Sequence, residues 1–141
     1  MQDARTLFEQ GFRFIDGRRF DEWRTMLEPD VEWVGPDGAL SGPDAVIEYM
    51  AVYGAAFPDG KHTVDRVVEQ GDLAVAEGVW TGTHTGTLAA PEGDLPATGA
   101  TVSSPFAVVV RRGSGDRVRS IHVYFDRMDF AVQLGLVPAA V

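Results

Sequence analysis

The chain has 141 residues, of which 45% are hydrophobic and 23% are charged, and it contains no cysteine; this is typical of one globular domain without a disulfide framework. Its net charge of −9 argues against a nucleic-acid partner, because phosphate binding requires clustered Lys and Arg. No apolar run approaches the roughly 20 residues that span a bilayer, and the first residues lack the features of a signal peptide, so we expect a cytoplasmic protein with no membrane partner.

The N-terminal part of the chain contains three segments in which apolar residues recur at helical spacing. The three predicted helices cover residues 3–15, 20–27 and 43–57. In the first, Leu7, Phe8, Phe12 and Ile15 have this spacing. The third begins at Pro43, which suits the first turn of a helix, and Asp44 complements the positive end of the helix dipole.

The remainder of the chain has the pattern of β-strands separated by turns. The predicted strands cover residues 31–34, 61–70, 73–86, 101–112 and 117–125. A loop rich in Pro and Gly at residues 89–99 joins two of them. Phe130 and Leu134 then indicate a last helical turn that packs back on the body.

Helices first and long strands afterwards predict an α+β domain over residues 1–141, with helices on one face of a curved antiparallel sheet. This order excludes a dinucleotide-binding arrangement, in which strands and helices alternate. No phosphate-cradling glycine loop precedes a helix, so we expect no nucleotide cofactor.

Several short motifs, in this order and spacing, resemble the SnoaL-like polyketide cyclases. They are GPDA at residues 42–45, GTHTG at 82–86, PATG at 96–99, and IHVYFD at 121–126 followed by LG at 134–135. These cyclases share the cone-shaped fold of ketosteroid isomerase and nuclear transport factor two. The resemblance therefore implies N-terminal helices on the concave face of the sheet, around one deep apolar pocket.

Three ionisable side chains are candidates for catalysis: His84, His122 and Asp126. Histidine titrates near neutral pH and can transfer protons, and His84 lies between two glycines that would let a ligand approach closely. His122 shares one strand face with Tyr124, and Asp126 continues that row.

Each of these candidates also has a structural interpretation. His84 would satisfy a local hydrogen bond at a sheet corner, and Asp126 would cap the last helix. For His122 and Tyr124, the resemblance implies a position on the convex side of the sheet, in a subunit interface. The three histidines, His62 included, lack the close spacing of zinc ligands, so we predict no metal site.

The resemblance implies a pocket without the usual catalytic groups. SnoaL-like cyclases keep an aspartate on the last strand, three residues before the aspartate that precedes the final helix, and this position is Val123. Their histidine on the penultimate strand corresponds to Val108. The predicted substrate-binding residues are Trp33, Tyr49, Tyr53, Trp80, Phe106, Val108 and Val123. Such a pocket suits a flat polycyclic or polyene ligand held by stacking and burial.

The resemblance implies an enzyme of natural-product biosynthesis that works without a cofactor, as a homodimer. Its usual reaction is ring closure, in which a base removes a proton next to a carbonyl and a donor stabilises the enolate. Two alternatives stay open because Val123 replaces the aspartate: a cofactor-independent hydroxylase of the same family, or a non-catalytic module that binds a hydrophobic metabolite. A steroid isomerase is disfavoured, since residues 33–36 at the end of the first strand carry no carboxylate.

Overall fold

The computed structural model describes residues 2–138, which contain four helices. They are α1 (Ala4–Asp16), α2 (Phe20–Arg24), α3 (Pro43–Ala56) and α4 (Arg127–Gln133). α1 begins where the Asp3 carboxylate accepts a hydrogen bond from the Thr6 backbone N–H at 2.8 Å, which satisfies a donor that the helix leaves free. No helix within residues 2–138 is long and apolar enough to span a bilayer.

Six strands form one curved, unclosed sheet. They are β1 (Leu27–Gly35), β2 (Gly38–Ser41), β3 (Lys61–Gln70), β4 (Leu73–Thr83), β5 (Thr101–Arg112) and β6 (Val118–Phe125), in the spatial order β2-β1-β6-β5-β4-β3. The predicted α+β fold is thus confirmed. One pair, β1 with β6, is parallel, whereas the sequence predicts antiparallel pairs throughout. A helix and four strands lie between these two in the chain, so the chain can return in either direction.

Two strands differ from the prediction in their bounds. β1 is longer than residues 31–34, and the turn that follows it closes a hairpin with β2, which the sequence analysis did not predict. β4 ends at Thr83 instead of residue 86, because Gly86 donates its N–H to the carbonyl of Ala56 in α3. The other strand bounds agree with the prediction within one residue.

A glycine allows the sheet to bend. The pairing of β3 with β4 shifts between Val64 and Arg66, and at this point Gly78 lies so close to β3 that a Cβ atom would stand 2.0 Å from the carbonyl oxygen of Thr63. No side chain fits there. A shift of this kind bends the strands locally, and the bend gives the sheet its concave face.

The helices cover that concave face. α1 packs on β3 and β4, whereas α3 packs on β1 and β2. The largest buried cluster joins the helices to the inward side chains of the sheet, among them Phe8, Trp23, Val31, Trp33 and Phe106. A second cluster around Phe57 and Val102 joins the end of α3 to α4 and the loop after β4. Between the helices and the sheet the first cluster leaves a cavity.

Candidate active site

The cavity has a volume of about 170 Å³ and lies between α1, α3 and the inner face of β4, β5 and β6. Its walls are mostly apolar and aromatic. All seven residues predicted to bind substrate line it: Trp33, Tyr49, Tyr53, Trp80, Phe106, Val108 and Val123. Ile121 and Phe125 also line it, so β6 turns alternate residues inward as the resemblance implies. Their role in substrate binding stays a prediction.

One histidine of the cavity wall, His62, pairs with an aspartate, Asp16, which lies behind it and does not itself line the cavity. Asp16 is the last residue of α1, and His62 is the second residue of β3. One carboxylate oxygen of Asp16 lies 2.7 Å from Nδ1 of His62, and the other accepts the backbone N–H of His62 at 2.8 Å. Because a carboxylate accepts and does not donate, the neutral imidazole holds its hydrogen on Nδ1 and its lone pair on Nε2.

The ring of His62 is held in one orientation by aromatic neighbours. It stacks on Phe12 at 4.3 Å between ring centroids and meets Phe106 edge-on at 5.4 Å. Within residues 2–138, only His84 Nε2 and Asp116 Oδ1 are enclosed side-chain atoms without a hydrogen-bond partner. Nε2 of His62 has no hydrogen-bond partner within residues 2–138 and is not enclosed, and the residue lines the cavity.

Two tyrosines of α3 provide hydrogen-bond donors on another wall. The Tyr49 hydroxyl donates to Asp37 at 2.7 Å, and the rings of Tyr49 and Tyr53 are 5.2 Å apart. Burial, the neighbouring Tyr53 and the hydrogen bond to Asp37 raise the pKa of Tyr49 well above its ordinary value of 10.0. Burial also raises the pKa of Tyr53. Both hydroxyls therefore keep their protons near neutral pH. Because the Tyr49 hydroxyl donates its one hydrogen to Asp37, Tyr53 is the residue of this pair that can donate to a substrate oxygen.

A carboxylate, Asp37, lies just beyond the end of the first strand. The window at residues 33–36 carries no carboxylate, but Asp37 follows it directly, in the turn between β1 and β2. This carboxylate is solvent-exposed and does not line the cavity. Its contact with the site is the hydrogen bond that it accepts from the Tyr49 hydroxyl.

His84 does not line the cavity, although the sequence analysis names it as a catalytic candidate. Its side chain is fully buried beside Phe57, with 5.2 Å between the ring centroids. Nδ1 accepts the backbone N–H of Thr98 at 3.1 Å and lies 2.9 Å from the Thr98 hydroxyl. These contacts join the end of β4 to the loop at residues 84–100, which fits the structural interpretation of the GTHTG motif.

His122 and Asp126 also lie outside the cavity lining. His122 points away from the cavity because Ile121, Val123 and Phe125 take the inward positions of β6. Asp126 is the N-cap of α4 and accepts the backbone N–H of Asp129 at 2.9 Å. Neither side chain reaches a ligand in the cavity directly.

Asp16 and His62 are not among the residues predicted from the sequence to form a site, although one signal was present. A carboxylate at the C-terminal end of a helix faces the negative end of the helix dipole, which is unfavourable. Asp16 has that position, directly before the helix-ending Gly17. An aspartate in this place needs a compensating partner, and that partner comes from β3, a strand that begins 45 residues later.

Comparison with protein families places the chain among known folds. A family model described as the SnoaL-like domain matches residues 8–121, which is most of the chain. No curated protein matches.

Three solved structures share the fold. AclR from Streptomyces galilaeus, a proposed hydroxylase, is 20% identical, with a TM-score of 0.81 over 97% of this chain and 87% of its own. A proposed SnoaL-like polyketide cyclase from Jannaschia sp. CCS1 is 21% identical, with a TM-score of 0.77 over 98% of this chain and 100% of its own. A hypothetical protein with a ketosteroid isomerase-like fold from Catenulispora acidiphila is 18% identical, with a TM-score of 0.75 over 93% of each chain.

Proposed function

Because the chain belongs to the SnoaL-like family, we propose that it is a small-molecule enzyme that moves a proton at a carbon next to a carbonyl group, as a step in ring closure of a hydrophobic, polyketide-like substrate. The observation that carries this proposal is the Asp16–His62 pair, because its imidazole lines an apolar cavity and Asp16 occupies only Nδ1 of the ring. A binding module has no need of an oriented imidazole in its cavity wall.

The geometry assigns a role to each polar group. Asp16 positions His62 and stabilises the imidazolium that forms when Nε2 accepts a proton. Tyr53 donates its hydroxyl hydrogen to the substrate carbonyl oxygen and stabilises the enolate as charge develops there, and the ring of Tyr49 packs beside it. Asp37 holds the Tyr49 hydroxyl in place.

Ring closure needs no further reactant. His62 takes the proton from the α-carbon, and the resulting enolate carbon attacks a second carbonyl carbon of the same molecule, forming the new C–C bond. The alkoxide that results takes the proton back from the imidazolium, which restores the neutral histidine. The apolar walls exclude water and so strengthen each of these electrostatic interactions. His62 thus supplies the base that Val123 cannot.

The proposal is tested by proton exchange, which does not require the natural substrate. We would incubate the protein with 2-acetylnaphthalene in D₂O and follow deuterium entering the methyl group by NMR. We expect His62→Gln to lower the catalysed exchange by roughly 10²-fold or more, the range typical of a lost general base, and Asp16→Asn to lower it similarly through loss of the ring orientation.

The matched control is His122→Gln, which replaces the same residue type on the outer face of the sheet and should leave the exchange rate within about twofold. Unchanged exchange in His62→Gln would refute the assignment of the base. An absence of catalysed exchange in the wild-type protein, together with tight binding of the ketone, would favour the non-catalytic binding module.

A further inference from the structure

A second, smaller space adjoins the cavity near the C-terminal ends of α1 and α3. This side pocket has a volume of about 30 Å³, which is enough for a water molecule and much less than that of the cavity. Five residues line both the side pocket and the cavity: Ile15, Met50, Tyr53, His62 and Trp80. The proposed base and the proposed donor are therefore among the residues that the two spaces share.

The side pocket meets the surface of the protein at one residue. Every residue that lines the cavity is buried or half-buried. Within residues 2–138, Arg18 is the only exposed residue among those that line the side pocket. The side pocket is thus the part of the combined space that lies nearest to solvent, and Arg18 forms its outer wall.

Arg18 follows the end of α1 in a backbone conformation that few residues adopt. Its φ is 57°, in the left-handed region that favours glycine. Two backbone hydrogen bonds hold this turn. The N–H of Arg18 donates to the carbonyl of Ile15 at 3.0 Å, and the N–H of Arg19 donates to the carbonyl of Phe14 at 2.7 Å. A residue that its surroundings hold in a strained conformation is a reason to look for a function.

The side chain of Arg18 crosses from α1 to α3. Its Cγ, Cδ and Nε atoms pass Gly54, where a Cβ atom would stand 3.7 to 3.8 Å from them, and Nη2 donates to the carbonyl of Pro58 at 3.1 Å. Gly54 lines the side pocket, as does Phe57, the residue before Pro58. The side chain therefore runs along the outer rim of the side pocket.

One exposed hydrogen bond holds the side chain of Arg18 in this position. Within residues 2–138, the bond to Pro58 is the only polar contact of the guanidinium. Such a bond contributes little net free energy, because water replaces the lost partner, and an exposed side chain changes rotamer quickly. The side chain can therefore leave the rim without any change in the backbone.

We propose that the side pocket is the passage by which a ligand enters the cavity, and that the side chain of Arg18 is a strap that closes this passage. The strap opens when Nη2 leaves the carbonyl of Pro58 and the stem moves away from Gly54. When closed, it keeps bulk water away from His62 and Tyr53, as the lids of many enzymes do. The passage requires only that the cavity takes a ligand, whereas the benefit for proton transfer rests on the proposed function.

A strap differs in its kinetics from a structural tie between α1 and α3. Removal of a tie lowers the stability of the fold and leaves the rates of ligand entry and exit unchanged. Removal of a strap raises both rates by the same factor. The dissociation constant then stays the same, because the strap has no differential contact with the ligand inside the cavity.

Stopped-flow fluorescence measures both rates with 2-acetylnaphthalene as the ligand. The signal is available because the three tryptophans of the chain all line the cavity: Trp23, Trp33 and Trp80. We expect Arg18→Ala to raise the association and dissociation rate constants by about fivefold each, the factor that one hydrogen bond typically contributes. Gly54→Ala adds a methyl group in van der Waals contact with the stem of Arg18 and should slow both rates by about twofold, since it packs the strap in place.

The matched control is Arg19→Ala. Arg19 is also exposed, but its guanidinium pairs with Glu22 and lies over the ring of Phe14, and it lines neither space. Both rate constants should stay within about twofold of wild type there. Unchanged rates in Arg18→Ala, or a change in the dissociation rate alone, would overturn the inference.

Collisional quenching by acrylamide tests the passage without a bound ligand. Trp80 lines the side pocket, so its fluorescence should be quenched more strongly in Arg18→Ala than in wild type or Arg19→Ala. The difference should vanish when Trp80→Phe is added to each protein. An unchanged quenching constant in Arg18→Ala would overturn the inference even if the ketone does not bind. Proton exchange that depends on His62 would stand in that case, so the two proposals can fail separately.

Discussion

At the residue scale, the site depends on polar side chains that need partners from distant parts of the chain. Asp16 is unfavourably placed at the end of α1 until His62 of β3 supplies two hydrogen-bond donors. Tyr49 is largely buried and donates its hydroxyl hydrogen to Asp37. In both pairs a buried aromatic or imidazole ring faces the cavity, while the carboxylate holds it from the rear. Orientation of this kind reduces the reorganisation needed when charge develops.

The buried tyrosines predict a characteristic loss of stability at alkaline pH. The pKa of Tyr49 is raised in the folded protein, so above the ordinary tyrosine value of 10.0 the hydroxyl ionises in the unfolded chain but not in the folded one. Above that pH, Tyr49 should lower the free energy of unfolding by up to about 1.4 kcal/mol for each further pH unit. Below that pH, the hydroxyl is protonated in both states, so Tyr49 should not make the stability depend on pH.

Urea denaturation between pH 8 and pH 11 measures this effect, in the wild-type protein and in Tyr49→Phe. The variant should lose stability more slowly above pH 10, since it has one fewer hydroxyl that ionises on unfolding. Identical slopes for the two proteins would contradict the raised pKa of Tyr49.

At the scale of elements, the loop at residues 84–100 and α4 hold the end of α3 that carries the tyrosines. The amide of Gln133 in α4 pairs with the backbone of Ser103 in β5, accepting its N–H at 2.8 Å and donating to its carbonyl at 2.9 Å. Phe130 then packs against Tyr53, Phe57, Trp80 and Phe125. The C-terminal part of the described chain thus supports the cavity wall from outside.

His84 is predicted to stabilise this assembly without taking part in catalysis. His84→Ala removes a fully buried ring beside Phe57 and leaves the Thr98 N–H without its acceptor. We expect a loss of about 2 kcal/mol in the free energy of unfolding, because the new cavity and the lost hydrogen bond outweigh removal of the unpaired Nε2.

Denaturation by urea and the deuterium-exchange assay would be run on the same His84→Ala preparation. The exchange rate of the folded variant should stay within about threefold of wild type. His122→Ala, which truncates a half-buried histidine on the outer face, is the comparison and should cost well under 1 kcal/mol. Lost exchange with unchanged stability would instead make His84 catalytic.

At the scale of the whole molecule, the outer face of the sheet carries a continuous stripe. The stripe consists of one residue from each of five neighbouring strands, and each residue is the register partner of the next. From β1 through β6, β5 and β4 to β3, these residues are Val34, His122, Val109, Val75 and Val68. Val34 is 40% exposed and Val68 is 62% exposed, and Tyr124 beside the stripe is 56% exposed. An apolar band on a sheet surface is a favourable contact for another protein surface.

We propose that a second copy of the chain covers this stripe, as the resemblance implies. Sedimentation velocity should show a homodimer, and Tyr124→Glu should raise the dimer dissociation constant at least tenfold by placing a charge in an apolar contact. Met128→Glu changes an exposed apolar residue of α4 away from the stripe and should leave the dimer intact. A wild-type monomer at high protein concentration would exclude the proposal.

The sequence by itself determined the α+β class and the position of most helices and strands, because these follow from the local periodicity of apolar residues and from turn residues. The inward position of Val123 and the outward position of His122 were implied by the resemblance, since alternation along a strand does not say which of its two faces is buried. The seven side chains predicted to line the cavity do so.

Only the tertiary structure decided which polar groups meet. Asp16 and His62 lie 46 residues apart, and Arg112 reaches Gln2 from across the chain; no local pattern encodes such pairs. The imidazole of His84 could act in catalysis, but the fold buries it away from the cavity. Pairing of distant side chains depends on how the curved sheet brings its strands beneath the helices, and that is a property of the packed molecule.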